Sequence, residues 1–146
     1  MPVVRAYLRD GRAPMPTDPR VSAQMSRIRS KNTGPEKAMR AALSAVGVRG
    51  YRLHFVKAPG KPDIAFVGRK VAVFVHGCFW HQCPHCQPPR PKTHKSWWRK
   101  KLDRNVERDA EKRKALKKLG WRVLTVWDCR LKQSPQREVA RVQRVL

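Results

Sequence analysis

The sequence predicts an α/β (α+β) domain, a mixed β-sheet flanked by helices. Three observations predict it. An amphipathic helix opens on a capping signal at Thr33, short β-like runs crowd residues 51–75, and a long charged helix over 95–119 separates them from one more apolar strand at 122–129. At 146 residues the chain has the size of a single domain and enough length to bury one core.

Each element has a local reason. Residues 1–20 combine prolines with Arg5, Arg9, Arg12 and Arg20 and show little apolar periodicity, which reads as a flexible basic arm ahead of a domain spanning 21–146. Thr33-Gly34-Pro35-Glu36 sets a hydroxyl N-cap three residues before a carboxylate, with proline in the first turn. Ala38, Met39, Ala42, Leu43 and Val46 follow at helical spacing, and Gly47 is the C-cap candidate. Runs at 51–56, 63–67 and 70–75 read as strands, the last two joined through Gly68-Arg69. A loop rich in Cys, His and Pro occupies 76–94. The charged stretch 95–119 carries a sparse stripe of Leu102, Val106, Leu116 and Leu119 and stops at Gly120, as a surface helix would. Residues 122–129 read as a strand and 134–146 as a closing helix. There are no internal repeats.

Lys and Arg number 34 against 10 Asp and Glu, a formal charge of +24. A positive field of that size attracts polyanions, first of all nucleic acids. Five Trp and four Cys argue against a disordered basic protein, because both residue types need a packed home. No run approaches the ~20 apolar residues of a membrane span. The N-terminal residues carry charges throughout and no apolar signal core, so a cytoplasmic protein is expected, associated with the nucleoid in a prokaryote. In that reducing compartment, four cysteines more often hold a metal than form disulfides.

Cys78, Cys83, His85 and Cys86 fall within one short loop, and Cys129 is the only other cysteine. Thiolates spaced five and three apart, with a distant fourth, suit one tetrahedral Zn²⁺. The favoured set is Cys78, Cys83, Cys86 and Cys129, with His85 as the alternative to Cys86. Four protein ligands leave no open position, so the zinc is expected to be structural, tying the loop to the strand that ends at Cys129. Upstream, Pro62-Asp63 opens one strand and Phe74-Val75-His76 ends the next. An Asp at a strand start beside a neighbouring strand is a common way to hold Mg²⁺, which prefers oxygen ligands. His81 is the natural group to take a proton from an attacking water. By themselves, an Asp after Pro is more often a turn residue and a lone His such as His81 more often structural.

The string His76-Gly77-Cys78-Phe79-Trp80-His81 resembles the core motif of the very short patch repair (Vsr) endonucleases. Pro62-Asp63, Asn105-Val106-Glu107-Arg108-Asp109, Gly120-Trp121-Arg122-Val123-Leu124 and Val126-Trp127-Asp128-Cys129 match in the same order, so the resemblance covers residues 25–131. It implies a restriction-endonuclease-like PD-(D/E)xK core and an Mg²⁺-dependent nick 5′ to the thymine of a T:G mismatch, the product of 5-methylcytosine deamination. It implies that Asp63 ligates Mg²⁺, His81 is the general base, and His76 contacts the scissile phosphate or a metal-bound water. Glu36 would touch metal-bound waters, a role that competes with its place in the capping box. Phe79 and Trp80, with Trp98 as a third aromatic, correspond to a wedge entering the base stack. Met25 corresponds to a residue inserted from the minor groove, and Asn105 to a DNA-contacting position. Trp121 and Trp127 read as core. The implied partners are mismatched duplex DNA and, functionally, a cytosine-5 DNA methyltransferase, with no membrane role and a monomeric enzyme. Two departures stand out. Val75 replaces a threonine of the motif, leaving only its backbone carbonyl for the metal, and the zinc loop reads Cys-Pro-His-Cys, so His85 and Cys86 remain alternatives.

Two other functions stay open on the sequence: a restriction-like or structure-specific endonuclease of broader range, and a non-catalytic zinc-stabilised DNA-binding module.

Overall fold

The computed structural model describes residue 20 and residues 31–146. The basic arm, save Arg20, and Met25 lie outside the described residues. Helix α1, Gly34–Ala45, begins on the expected capping box: Thr33 Oγ1 accepts from Glu36 N at 3.4 Å, and Thr33 N donates back to Glu36 Oε2 at 3.3 Å. Four strands follow, β1 Arg52–Leu53, β2 Ile64–Phe66, β3 Val71–His76 and β4 Arg122–Trp127, in the spatial order β1-β2-β3-β4. The first three are antiparallel neighbours, while β3 and β4 are parallel.

That change of direction explains the long helix. Parallel neighbours need a crossover, and α3, Lys95–Lys118, lies on it, preceded by the short α2, Cys78–His81. Helices α4, Asp128–Gln133, and α5, Pro135–Val145, close the chain, the latter capped by Ser134 Oγ accepting from Arg137 N at 3.3 Å. Gly120, at φ +84, lets the backbone turn from α3 into β4.

Strand β3 is buried on both faces, and its alternation sorts the core into two layers. Val71, Val73 and Val75 pack with Met39 and Leu43 of α1 and Val139 and Val142 of α5. Ala72 and Phe74 point the other way and pack with Leu116 of α3. His76 therefore emerges, by the same period of two, on the α3 side. Gly60, at φ +76, lies against α3; a Cβ there would come within 2.6 Å of Lys112 Cγ.

Several boundaries differ from the sequence reading. Only Arg52–Leu53 of the run 51–56 pairs as a strand, because His54 turns at φ +48. The link between β2 and β3 is a 3-10 turn over Val67–Arg69 with Lys70 left-handed. Cys129 stands in the first turn of α4, since β4 stops at Trp127. On α3, Leu102 and Leu116 are buried, but Val106 is 40% exposed, as is 55% of Leu119 at the helix C-cap. The residue that completes the buried stripe, seven from each leucine, is Asp109. Among the described residues no helix is long and apolar enough to cross a membrane.

Candidate active site

Two groups of titratable side chains meet at the junction of β2, β3 and α3. Asp63 stands immediately before β2, fixed through its backbone: His54 N donates to Asp63 O at 3.1 Å and Phe55 N to Pro62 O at 3.1 Å. Its side chain turns toward β3, where Oδ2 accepts from Val75 N at 2.7 Å. Glu36 reaches the same place from α1. Its Oε2 caps the helix and also lies 3.8 Å from His54 Nε2, so one carboxylate faces both the cap and the site. Ligand atoms of Glu36, His54 and Asp63 all fall within 4.8 Å of one another. Burial pushes the Asp63 carboxyl up to about 7; the Val75 hydrogen bond opposes this, and the neighbouring Glu36 adds to it. Two carboxyls held out of water beside each other are stabilised by a cation, and these residues fit a divalent metal on that ground.

The second group begins one residue after Val75. His76 is buried, and its ring stacks on that of His81 at 3.8 Å between centroids and 6° between planes. His81 Nδ1 lies 2.7 Å from Asp109 Oδ2. Burial would raise Asp109, but the hydrogen bond with His81 and the positive charge of Lys112 outweigh it and hold the carboxyl below its ordinary value. An ionised carboxylate only accepts, so His81 Nδ1 donates, and it is Nε2 that carries the lone pair whenever the ring is neutral. Burial, reinforced by the charge of His81, pushes His76 down to about 3, which keeps it neutral. Its Nδ1 is buried and has no hydrogen-bond partner, and Trp127 meets its ring edge-on at 5.2 Å. The two groups are neighbours: Asp63 is bonded to Val75, His76 is next in the chain, and the charge of His81 acts on the Asp63 carboxyl.

The third cluster anchors this arrangement. Sulfurs of Cys78, Cys83, Cys86 and Cys129 lie within 4.8 Å of one another, and the cysteines are free. The Cys83–Cys129 separation is 3.7 Å. Ligands about 2.3 Å from a tetrahedral zinc stand about 3.8 Å apart, so this donor set fits Zn²⁺. Backbone N–H groups support the sulfurs: Cys129 N donates to Cys78 Sγ and His85 N to Cys83 Sγ, each at 3.4 Å. Burial raises the Cys78 thiol to about 12 and also raises Cys129; for Cys83, burial acts in the same sense, but the backbone donors of Cys86 and His85 prevail and lower it. The His85 ring faces Arg130 instead, with Nδ1 3.1 Å from Nη2. Cys78 opens α2, the helix that carries Phe79, Trp80 and His81, so a metal here would fix their position.

Phe79, Trp80 and Trp98 pack on one another, with centroids 5.1 to 5.8 Å apart, and each is half-buried. Asn105 braces them, its Nδ2 donating to Trp80 O at 3.0 Å. Trp121 packs on Phe55 at the edge of the α3-side core. Sequence reasoning missed two members of the site. Asp109 was legible as a carboxylate interrupting the Leu102–Leu116 stripe, whereas nothing in the spacing of His54 marked it.

An oriented imidazole beside paired carboxyls, on a surface charged to attract polyanions, is the equipment of a DNA endonuclease. The chain belongs to the Vsr family of DNA mismatch endonucleases. The family model described as DNA mismatch endonuclease Vsr matches residues 16–87. The chain is 47% identical over 107 residues to the type II nicking enzyme V.XorIIP of Xanthomonas oryzae pv. oryzae, covering 73% of this chain and 78% of that protein. It is 46% identical to the type II nicking enzyme V.NaeI of Lentzea aerocolonigenes over 81% of this chain and 73% of the relative. It is 38% identical to the DNA mismatch endonuclease Vsr of Escherichia coli, over 76% and 70% respectively.

Proposed function

We propose that this endonuclease nicks one strand of duplex DNA 5′ to the thymine of a T:G mismatch, in a reaction that depends on Mg²⁺. The observation that carries the reading is the adjacency of the Asp63 carboxyl to the His76–His81–Asp109 group. Asp63, the Val75 carbonyl and Glu36, the last acting through bound water, would hold the cation. When bound, it supplies positive charge to the scissile phosphate oxygens. His81 Nε2 takes a proton from the attacking water while Asp109 holds the ring in the required tautomer. The water oxygen bonds to phosphorus as one phosphodiester P–O bond breaks, and the departing oxygen is protonated from solvent. His76, kept neutral by its burial, would contact the scissile phosphate or a water of the cation without adding charge to the stack.

The sheet is read as a restriction-endonuclease-like PD-(D/E)xK core. Pro62-Asp63 supports that reading, although β3 carries neither a second carboxylate nor a lysine, and the Val75 main chain and His76 occupy that ground. Phe79, Trp80 and Trp98 form the wedge that enters the stack, with Met25 opposite and Asn105 holding the wedge or reaching DNA. Unstacking is easiest at a wobble pair, so the wedge reads local instability as well as shape. Cys78, Cys83, Cys86 and Cys129 hold a structural Zn²⁺. The enzyme acts as a monomer in the cytoplasm, on sites made by a cytosine-5 methyltransferase, and residues 1–20 add a basic arm to the 21–146 domain.

A strand-labelled nicking assay on T:G, other mismatches and matched duplex, with Mg²⁺ or without divalent metal, tests the proposal. One nick at T:G is expected, lost in Asp63→Ala and His81→Ala while duplex affinity stays within about twofold. Equal rates on T:G and matched duplex would reject the mismatch reading, and strong residual nicking by either variant would reject the assigned roles.

A further inference from the structure

No role so far falls to His54, yet its ring is the odd member of the carboxylate group. His54 follows β1 at φ +48, in the left-handed region that side-chain-bearing residues rarely adopt. Its backbone N–H is bonded to Asp63 O at 3.1 Å, which ties the two residues together. The ring reaches Glu36, where Nε2 lies buried and without a hydrogen-bond partner. Unpaired buried ring nitrogens are uncommon and call for a partner such as a cation. The separation of 3.8 Å from Glu36 Oε2 is too long for a hydrogen bond. It suits an imidazole ligand beside a carboxylate that reaches the same cation through bound water, and ligand atoms of His54 and Asp63 also lie within 4.8 Å of each other.

We propose that His54 is a direct protein ligand of the divalent cation held at Asp63 and Glu36, so that the site offers an imidazole nitrogen beside carboxylate oxygens. This rests on the metal-dependent reading above. Its chemical consequence is metal choice. Mg²⁺ demands oxygen donors, whereas transition-metal dications accept imidazole readily, so the site binds Mn²⁺ or Co²⁺ more tightly than Mg²⁺.

Zinc-loaded protein, with and without duplex, is titrated with Mn²⁺ and followed by EPR, with pulsed EPR reading any directly bound nitrogen. Wild type is expected to hold one tight Mn²⁺ with a nitrogen coupling. His54→Asn and His54→Gly, two residues that accept a left-handed φ, should lose the coupling and weaken Mn²⁺ by at least about tenfold while changing Mg²⁺ competition less. Circular dichroism and zinc content verify that both variants fold. Asp63→Asn should abolish the site. A coupling that survives both His54 variants, or an Asp63-dependent Mn²⁺ site with no nitrogen coupling in wild type, overturns the His54 assignment and leaves the metal-dependent reading standing. Mn²⁺ binding indifferent to Asp63→Asn, or no saturable site at all, overturns both.

Discussion

Replacing Asp63 with asparagine separates what its carboxyl does for the reaction from what it does to the fold. In the folded protein burial raises this group from 3.8 to about 7, with Glu36 adding to the effect. The sign follows from proton binding. Below pH 3.8 both folded and unfolded chains hold the proton, so there is no penalty. Between 3.8 and about 7 the unfolded chain releases a proton that the folded chain keeps, so stability falls as pH rises, and above about 7 the penalty is complete. A displacement of roughly 3 pH units corresponds to on the order of 4 kcal/mol. Asparagine is nearly isosteric and its amide oxygen still accepts from Val75 N, losing the charge assistance of that bond, about 1 kcal/mol. The net expectation is that Asp63→Asn stabilises the metal-free protein by roughly 2–3 kcal/mol at pH 8, or at least about 5 °C in Tm for a chain of this length. The gain should shrink toward pH 4. Calorimetry of zinc-loaded protein in Mg²⁺-free buffer at pH 5 and 8 measures it, and added Mg²⁺ should stabilise wild type alone. A variant no more stable than wild type at pH 8, or a difference that does not change with pH, would refute the argument that a desolvated carboxylate is being held ready for a cation.

Three further outcomes are expected. Asp109→Asn keeps the shape of the α3 stripe but lets His81 adopt the wrong tautomer, so nicking should fall by roughly 100-fold or more with duplex affinity unchanged; single-turnover rates within threefold of wild type would remove Asp109 from the site. Cys129→Ser, or withdrawal of zinc, should lower the melting temperature at modest chelator concentration before any loss of intrinsic nicking rate, because an ion held by these sulfurs would tie α2 to α4; unchanged melting would end the structural-zinc assignment. Phe79→Ala and Trp80→Ala should reduce the preference for T:G over matched duplex more than they reduce total affinity, which the basic surface supplies and which should drop steeply with salt; equal losses in binding titrations on both duplexes would mean the aromatics do not read the mismatch.

The sequence alone determined the parts of this protein that follow from local chemistry. The capping box at Thr33 and Glu36, the termination of α3 at Gly120 and the clustering of three cysteines are all settled by neighbours within a few residues, and each stands as read. The charge of +24 and the motif around His76–His81 likewise belong to the chain itself. Tertiary structure decided the rest, because it depends on contacts between distant elements. The sequence left His85 and Cys86 as alternatives; the fold turns His85 toward Arg130 and Cys86 toward the other three sulfurs. Glu36 looked forced to choose between cap and site, but one of its oxygens lies against both the Thr33 N–H and the His54 ring. Asp109 and His54 acquire meaning only when α3 packs on the Ala72 and Phe74 side of β3 and the β1–β2 connection folds back on Asp63. Side-chain periodicity fixes which face a residue occupies, but only packing fixes which other face it meets.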